Sequence, residues 1–245
     1  MTMILGHRGA RLEAPENTLA GFEHLRSVVK DNAKVQGVEF DVQLSADGVL
    51  MVAHDVTLLR KAGLARRISD MSSEEISNIS LKKLKNTASH IADLVTPKLS
   101  EVLPLVSDFA HVELEIKTHS RTSIDKLEAA LLKLRDQMPT CFTLTSFNAS
   151  LLYQLKGSGL KTGLLIDAPL SAEYVLAQAK LLGVSRVCPH YKLINAELVE
   201  QLHQKKLKIS TWTVNKKSQA KKLQAMGVDA LISDKPRLIA EVIRD

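Results

Sequence analysis

The regular alternation of short apolar runs with amphipathic stretches is the sequence feature that most constrains the fold. Short apolar runs are typical of strands buried on both faces, and the stretches between them repeat apolar residues at helical spacing. The strand-like runs, each followed by a helix-like segment, are residues 4–6, 37–44, 112–117, 141–145, 162–166, 186–189, 208–215 and 230–234. Strict alternation predicts a parallel sheet, and eight units predict an α/β protein with a closed (β/α)₈ barrel, the TIM barrel; an open doubly wound sheet is the alternative.

The length of the chain fits one domain of this kind. It has 245 residues, and a single α/β barrel commonly needs roughly 200–250. No Gly-x-Gly-x-x-Gly turn follows the first strand-like run, which counts against a dinucleotide-binding open sheet. Residues 56–97 interrupt the alternation with a polar and basic segment. We therefore predict a single domain over residues 1–245, with an insertion at about residues 56–97 after the second strand.

Charge and composition narrow the range of partners and locations. The net charge of +6 favours anionic partners such as phosphate esters, nucleic acid or acidic lipid. Only 4% of the residues are aromatic, which is few for stacking single-stranded bases, so we expect no nucleic-acid partner. The sequence has neither a signal-peptide pattern nor an apolar segment of the roughly 20 residues that cross a bilayer. We expect a cytoplasmic protein without stable membrane insertion, and the oligomeric state is left open.

One strand-like run carries two carboxylates on the same face. In residues 37–44 the apolar side chains alternate with Glu39 and Asp41. Such a pair is also typical of the solvated face of an edge strand. In a barrel, however, the carboxyl ends of the strands meet, so Glu115 of the third strand comes close to both. These three carboxylates could meet one cation, and an all-oxygen ligand set favours Mg²⁺ or Ca²⁺ over zinc.

Basic and imidazole side chains follow at the same end of the predicted barrel. Arg8 ends the first strand, and Lys117 shares a strand face with Glu115. A cation beside an arginine and a lysine is a set that recognises phosphate. His7 precedes Arg8, and His54 follows a short apolar run that returns toward the second strand; both can donate or accept a proton near neutral pH. These residues favour chemistry on a phosphate ester.

The ordered motifs of the chain resemble those of the glycerophosphodiester phosphodiesterases. They are His7-Arg8-Gly9, Pro15-Glu16-Asn17-Thr18, Glu39-Phe40-Asp41-Val42, Asp47-Gly48, His54-Asp55 with Thr57-Leu58 and Arg60, Glu115-Ile116-Lys117, Ser146-Phe147, Trp212-Thr213-Val214-Asn215, Gly227-Val228-Asp229 and Asp234-Lys235-Pro236. Each motif is weak by itself, whereas the ordered set is specific and spans nearly the whole chain. Two positions depart from the family pattern: Lys61 replaces a usual threonine, and Glu113 replaces a usual asparagine.

The resemblance implies the same barrel and assigns roles to the residues. The implied site consists of metal ligands Glu39, Asp41 and Glu115, the acid–base pair His7 and His54, phosphate contacts Arg8 and Lys117, the first-loop residues Glu16 and Asn17, and Trp212 stacked against glycerol. The implied reaction is hydrolysis of a glycerophosphodiester, such as glycerophosphocholine or glycerophosphoethanolamine, to sn-glycerol 3-phosphate and an alcohol. Which histidine is the base, and whether water or the glycerol 2-hydroxyl attacks, are left open.

Two other functions remain as alternatives. The same fold and metal site could act on lysophospholipids or another phosphodiester, although the polar insertion favours water-soluble diesters. A non-enzymatic basic barrel could bind acidic surfaces, but the complete metal and acid–base set argues against that role. Two further carboxylates stay unassigned: Glu113, one layer deeper than Glu115, could pair with a cation or hold a proton, and Asp234 is expected to cap the last loop.

Overall fold

A computed structural model of the protein describes residues 2–82 and 94–244. Its strands are β1 (Met3–His7), β2 (Val35–Leu44), β3 (Leu50–Met51), β4 (Thr57–Leu58), β5 (Leu64–Arg67), β6 (His111–Ile116), β7 (Phe142–Ser146), β8 (Thr162–Ile166), β9 (Arg186–Pro189), β10 (Lys208–Thr211) and β11 (Ala230–Ser233). In the described part of the chain, eight of them form a parallel sheet in the order β1, β2, β6, β7, β8, β9, β10, β11, and β11 pairs with β1. The predicted (β/α)₈ barrel is therefore confirmed.

Helices connect the barrel strands and cover the outside of the barrel. They are α1 (Leu19–Asp31), α2 (Leu59–Ala62), α3 (Ser73–Ser77), α4 (Leu99–Val106), α5 (Ile124–Leu134), α6 (Ala149–Gln154), α7 (Ala172–Leu182), α8 (Ala196–Gln204), α9 (Lys217–Ala225) and α10 (Pro236–Ala240). Many of these helices begin at an N-cap residue whose hydroxyl or amide side chain accepts a hydrogen bond from a backbone N–H of the first turn. These N-cap residues include Thr18, Ser123, Asn148, Ser171 and Asn195. Within the described ranges, these helices fall short of the length and apolar content needed to cross a membrane.

The main core lies between the barrel and its helices, and β2 shows how its sequence builds that core. Val38, Phe40 and Val42 point outward and are fully buried. The ring of Phe40 meets Phe22 of α1 edge to face, with centroids 5.1 Å apart. The intervening polar residues of β2 therefore point into the barrel, because successive side chains of a strand alternate between its faces.

The chain between β2 and β6 adds elements that the barrel itself does not need. β3 pairs antiparallel with β2, and β4 pairs antiparallel with β5. The added elements share a small core of their own, formed by Met51, Ala53, Leu58, Ile68, Met71 and Ile76. The insertion after the second strand is thus present, although residues 83–93 of the predicted segment lie outside the described residues. That residues 1–245 form a single domain stays a prediction.

Candidate active site

A cavity of about 290 Å³ opens at the carboxyl ends of the barrel strands. Its lining includes these predicted site residues: His7, Arg8, Glu39, His54, Glu115, Lys117 and Trp212. Asp41, Glu16 and Asn17 lie behind the lining, where each contacts Arg8. The structure therefore gathers the predicted site residues into one region, as expected from the position of strand ends in such barrels.

The turn after β1 fixes Arg8 over the end of β2. Arg8 has a left-handed backbone with a φ of 53°, and Gly9 follows with a φ of 97°, a conformation that suits glycine. The N–H of Arg8 donates to the carbonyl of Glu39 at 2.6 Å, and the N–H of Asn17 donates to the carbonyl of Arg8 at 2.9 Å. Because these bonds offset the backbone strain, the Arg8 side chain stays beside the carboxylates of β2.

Three buried carboxylates meet at this cavity. Glu39, Asp41 and Glu115 each offer an oxygen atom, and these oxygens lie within 4.8 Å of one another. Burial and the charges of Asp41 and Glu115 raise the pKa of Glu39 well above its usual range. Burial and the charge of Asp41 raise the pKa of Glu115 to about 7. Without a bound cation, the three carboxylates are therefore not all stable in the ionised form at neutral pH.

The cluster fits a hard divalent cation. Among the described residues, Glu39 Oε2 is buried without a hydrogen bond, and Asp41 Oδ1 is buried with only an ion-pair contact, to Lys117 Nζ. Buried carboxylate oxygens need a partner, and several oxygens converging from separate strands are the ligands that Mg²⁺ and Ca²⁺ prefer. The predicted ligand set is therefore one that could hold a metal ion.

Positive side chains surround Asp41 and keep it ionised. Lys117 Nζ lies 3.1 Å from Asp41 Oδ1, and Arg8 Nε lies 3.3 Å from Asp41 Oδ2. Burial raises the pKa of Asp41, but the charges of Lys117 and Arg8 outweigh burial and hold that pKa well below its usual range. Asn17 Nδ2 donates to Asp41 Oδ2 at 2.9 Å, so this residue orients the carboxylate from behind the cavity.

Glu16 ties the first loop to the insertion. Its side chain accepts a bond from Arg60 Nη2 at 2.5 Å and lies 3.5 Å from Arg8 Nη1. Lys61, which departs from the family pattern, donates through Nζ to the backbone carbonyl of Glu16 at 2.6 Å. Burial lowers the pKa of Lys61 to about 8. The insertion is therefore held against the cavity by buried and charged contacts.

Both histidines are held through Nδ1 by an aspartate. His7 Nδ1 bonds Asp234 Oδ1 at 2.5 Å, and His54 Nδ1 bonds Asp55 Oδ1 at 2.8 Å. Burial lowers the pKa of His7 and of His54, and the aspartate contacts oppose that shift without cancelling it. A carboxylate at Nδ1 keeps a proton there in the neutral ring, so Nε2 is the nitrogen able to accept a proton.

Asp234 takes part in the candidate site through a contact that the sequence reasoning missed. It was expected to cap a loop, whereas it contacts His7 and also accepts a bond from Asn215 Nδ2 at 2.7 Å. The signal lay in the topology: a closed barrel places the end of its last strand beside the end of its first. Asp55 is named in the sequence analysis only as part of a motif. Its position directly after His54 in the chain is the signal that could have identified it as a partner of that histidine.

Trp212 forms one wall of the cavity. Its ring Nε1 donates to the carbonyl of Cys188 at 2.9 Å. The ring of Phe147, which also lines the cavity, meets Trp212 edge to face with centroids 5.7 Å apart. A ring fixed in this way offers a rigid apolar surface beside the carboxylates.

Glu113 lies deeper in the barrel, and its partner is a cation. Arg186 Nη1 lies 3.5 Å from Glu113 Oε1, Ser210 Oγ donates to the same oxygen, and His111 Nε2 lies 3.1 Å from it. Burial raises the pKa of Glu113, but the charges of Arg186 and His111 outweigh it and lower that pKa. Of the two roles left open for this residue, the structure supports pairing with a cation.

The sequence of the chain is similar to those of known glycerophosphodiester phosphodiesterases. The family model of the glycerophosphoryl diester phosphodiesterase family matches residues 7–238. A glycerophosphodiester phosphodiesterase of Caldanaerobacter subterraneus subsp. tengcongensis is 30% identical over 248 residues, covering 99% of this chain and 98% of the relative. A second, from Bacillus altitudinis, is 28% identical and covers 96% of each chain.

Solved structures share the fold. The glycerophosphodiester phosphodiesterase of Thermotoga maritima superposes with a TM-score of 0.78 at 27% identity, covering 99% of both chains. An Oleispira antarctica phosphodiesterase, solved in complex with the product sn-glycerol-3-phosphate, gives a TM-score of 0.84 at 24% identity and covers 99% of this chain and 96% of its own. At that identity the second likeness shows the fold alone.

Proposed function

Because the chain belongs to the glycerophosphoryl diester phosphodiesterase family and is an enzyme of that class, we propose that it hydrolyses glycerophosphodiesters with a divalent cation and histidine acid–base catalysis. The proposed substrates are small diesters such as glycerophosphocholine and glycerophosphoethanolamine. The proposed products are sn-glycerol 3-phosphate and the corresponding alcohol. The observation that carries the proposal is the buried cluster of Glu39, Asp41 and Glu115. Glu39 and Glu115 of this cluster line the same cavity as His7 and His54.

The carboxylate cluster supports the metal part of the proposal. Glu39, Asp41 and Glu115 would hold Mg²⁺ or Ca²⁺, and either ion, when bound, supplies Lewis acidity toward a phosphate oxygen. Arg8 and Lys117 already lie beside the same carboxylates and would contribute positive charge to bind the phosphate.

The two histidines would transfer the protons of the reaction. One takes the proton of the attacking oxygen, and the other protonates the oxygen of the departing alcohol. Asp234 and Asp55 fix the Nδ1 side of each ring, so Nε2 is the nitrogen that would exchange protons with the substrate. Either histidine fits either role, and both water and the glycerol 2-hydroxyl fit as the attacking group.

Trp212, Glu16 and Asn17 would serve the substrate less directly. The fixed Trp212 ring would pack against the glycerol moiety. Glu16 and Asn17 would act from behind the cavity through Arg8 and Asp41. We also propose the cytoplasm as the location, because the described cysteines are free thiols, as is usual in a reducing compartment.

The first test is release of glycerol 3-phosphate from glycerophosphocholine with added Mg²⁺, with added Ca²⁺ and with EDTA. We expect release with at least one metal and loss of release in EDTA. His7→Ala and His54→Ala should each lower the rate about 10²–10⁴-fold. His24→Ala, a histidine of α1 that contacts Glu13 instead, is the matched control and should keep the full rate. Metal-independent release, or no release from folded protein, would overturn the proposal.

A further inference from the structure

The side-chain amide of Gln43 binds the backbone on both sides of His54. Gln43 Nε2 donates to the carbonyl of Ala53 at 2.9 Å and to the carbonyl of Asp55 at 2.7 Å. Gln43 lies on the inward face of β2, two residues after Asp41, and it is buried. The proposed acid–base residue His54 therefore lies between two peptide carbonyls that one buried amide holds.

A third contact fixes the direction in which the Gln43 amide points. His119, in the loop after β6, lies with its Nε2 3.1 Å from Gln43 Oε1. An amide oxygen only accepts hydrogen bonds, so His119 is the donor in this contact. A flipped amide would place its oxygen against the carbonyls of Ala53 and Asp55, which offer no hydrogen. The contacts on both sides of the amide therefore select the same orientation.

The turn that carries His119 is closed by its own hydrogen bonds. The N–H of His119 donates to Thr122 Oγ1 at 2.9 Å, and the N–H of Thr122 donates to the carbonyl of His119 at the same distance. Just before this turn, the N–H of Lys117 donates to the carbonyl of Val42 at 2.9 Å, which keeps the end of β6 beside β2. His119 is thus held next to β2, where it orients the amide of Gln43.

The backbone around His54 needs such support, because the residues between β3 and β4 belong to no strand or helix. Peptide groups outside regular structure lack partners from a sheet or helix, so other groups must supply them. The N–H of Val52 and the carbonyl of Val56 bond to backbone outside this segment at 2.8 and 3.0 Å. Neighbouring backbone thus holds the two ends of the segment, and Gln43 holds its centre.

We propose that Gln43, oriented by His119, is a positioning residue that keeps His54 within reach of the proton it transfers. This inference rests on the proposed function and adds two residues that act through His54. Neither Gln43 nor His119 is among the residues that line the catalytic cavity. General acid–base catalysis requires hydrogen-bond distance to the reacting group, and a misplacement of roughly 1 Å can cost about 10²-fold in rate.

Gln43→Met is the first test, because it keeps the length of the side chain and removes its donors and its acceptor. We expect kcat for glycerophosphocholine to fall about 10²-fold, with KM and metal affinity unchanged, since the carboxylate cluster and its cations stay in place. Gln154→Met is the matched control. Gln154 is an exposed glutamine of α6 that bonds Asp125 at 3.2 Å, and its replacement should keep the full kcat.

The His54→Ala background separates positioning from any other effect of the substitution. If Gln43 acts only through His54, Gln43→Met should not lower kcat further once the histidine is absent. A double variant whose loss equals the product of the two single losses would overturn the inference, because Gln43 would then act elsewhere. Wild-type kcat in Gln43→Met would overturn it as well.

Amide hydrogen exchange gives a readout that does not depend on turnover. Peptides that cover residues 52–56 should exchange faster in Gln43→Met than in the unmodified protein or in Gln154→Met, because the segment loses its central contacts. His119→Ala leaves both N–H bonds of Gln43 in place, so it should change kcat and exchange in the same directions by less. This variant decides the question where Gln43→Met does not fold.

The exchange measurement also separates this inference from the proposed function. Unchanged exchange of residues 52–56 in Gln43→Met overturns the inference, even when glycerophosphocholine is hydrolysed. Faster exchange confined to this segment supports the placement of His54 by Gln43. It does so even when glycerophosphocholine is not cleaved and the proposed substrate fails.

Discussion

Asp234 Oδ1 lies 2.5 Å from Nδ1 of His7, so the residue that follows the last barrel strand orients the residue that ends the first. The two side chains meet because β11 pairs with β1 and closes the barrel. The other nitrogen of the ring, His7 Nε2, lies 3.6 Å from Glu39 Oε2, on the side of the carboxylate cluster. The pairing of β11 with β1 that closes the barrel thus also brings Asp234 to the position from which it orients His7, a proposed catalytic residue.

Asp234→Asn should therefore lower kcat far more than it alters binding. The amide removes the negative charge at Nδ1, so it no longer stabilises the protonated imidazole or selects the tautomer with a basic Nε2. We expect kcat to fall about 10²–10⁴-fold, the range for loss of general acid–base catalysis, with little change in KM or in metal affinity. Steady-state kinetics at saturating metal would measure this.

Asn215→Ala is the control for that prediction. Asn215 contacts Asp234 but not the histidine, so its loss should leave the His7 contact in place and cost much less in kcat. Wild-type kcat in Asp234→Asn would show that the aspartate is only a structural cap of the last loop.

The barrel and most of the carboxylate cluster can be predicted from the sequence for a simple reason. Parallel strands with both faces buried appear in the sequence as short apolar runs. Polar residues that point into the barrel interrupt such a run, as Glu39 and Asp41 do in β2. Closing such strands into a barrel brings their carboxyl ends to one mouth, so the position along a strand is enough to place Glu115.

Contacts that depend on which strands become neighbours are harder to predict. His7 and Asp234 are 227 positions apart, and only the closed topology makes them neighbours. The exposure of apolar side chains is hard to predict for a different reason. Phe147 and Leu170 are apolar residues close to strand ends, and a sequence pattern cannot distinguish such residues that stay exposed from residues that join the core.

The ion pair between Glu113 and Arg186 inside the barrel should show strong energetic coupling. Removing one partner leaves a buried charge uncompensated, whereas replacing both removes the cost of burying either charge. We expect Arg186→Met or Glu113→Gln alone to lower the free energy of unfolding by about 3–5 kcal/mol, and the double variant to recover a large part of that loss. Urea unfolding of the unmodified protein, the two single variants and the double variant would form a double-mutant cycle. Additive losses of unfolding free energy would contradict the coupling.

Replacement of one proposed metal ligand should separate metal binding from stability. Burial and the neighbouring carboxylates disfavour the charged form of Glu39, so Glu39→Gln should keep or raise the stability of the metal-free protein. The same change should abolish stabilisation by Mg²⁺ or Ca²⁺, which for the unmodified protein amounts to about 2.7 kcal/mol at a hundredfold excess over Kd.

Thermal unfolding with and without each metal would measure both effects. Glu200→Gln, an exposed residue of α8, is the control and should retain the shift in Tm on metal addition. An unchanged metal-dependent shift in Glu39→Gln would remove Glu39 from the ligand set.

Asp229 should stabilise the end of the barrel remote from the active site in a pH-dependent way. It accepts bonds from the N–H of Ile209, from Lys208 Nζ and from His203 Nε2, all at 2.9 Å. Burial raises the pKa of Asp229, but the bonds from Lys208, His203 and the backbone outweigh burial and lower that pKa below its ordinary value of 3.8. The folded state therefore binds the proton less readily than the unfolded state does.

Because the folded pKa is lowered, this stabilisation is fully present above the unfolded pKa and is lost as the pH falls through the folded pKa. Asp229→Asn should lower the free energy of unfolding by about 1.5–3 kcal/mol at neutral pH, the range for hydrogen bonds to a charged group. The difference from the unmodified protein should shrink as the pH falls below about 4. Urea unfolding at a series of pH values would measure it, with the exposed Asp136→Asn as control. A difference that stays constant down to the lowest pH would mean that the contacts of Asp229 stabilise the barrel without involving its charge.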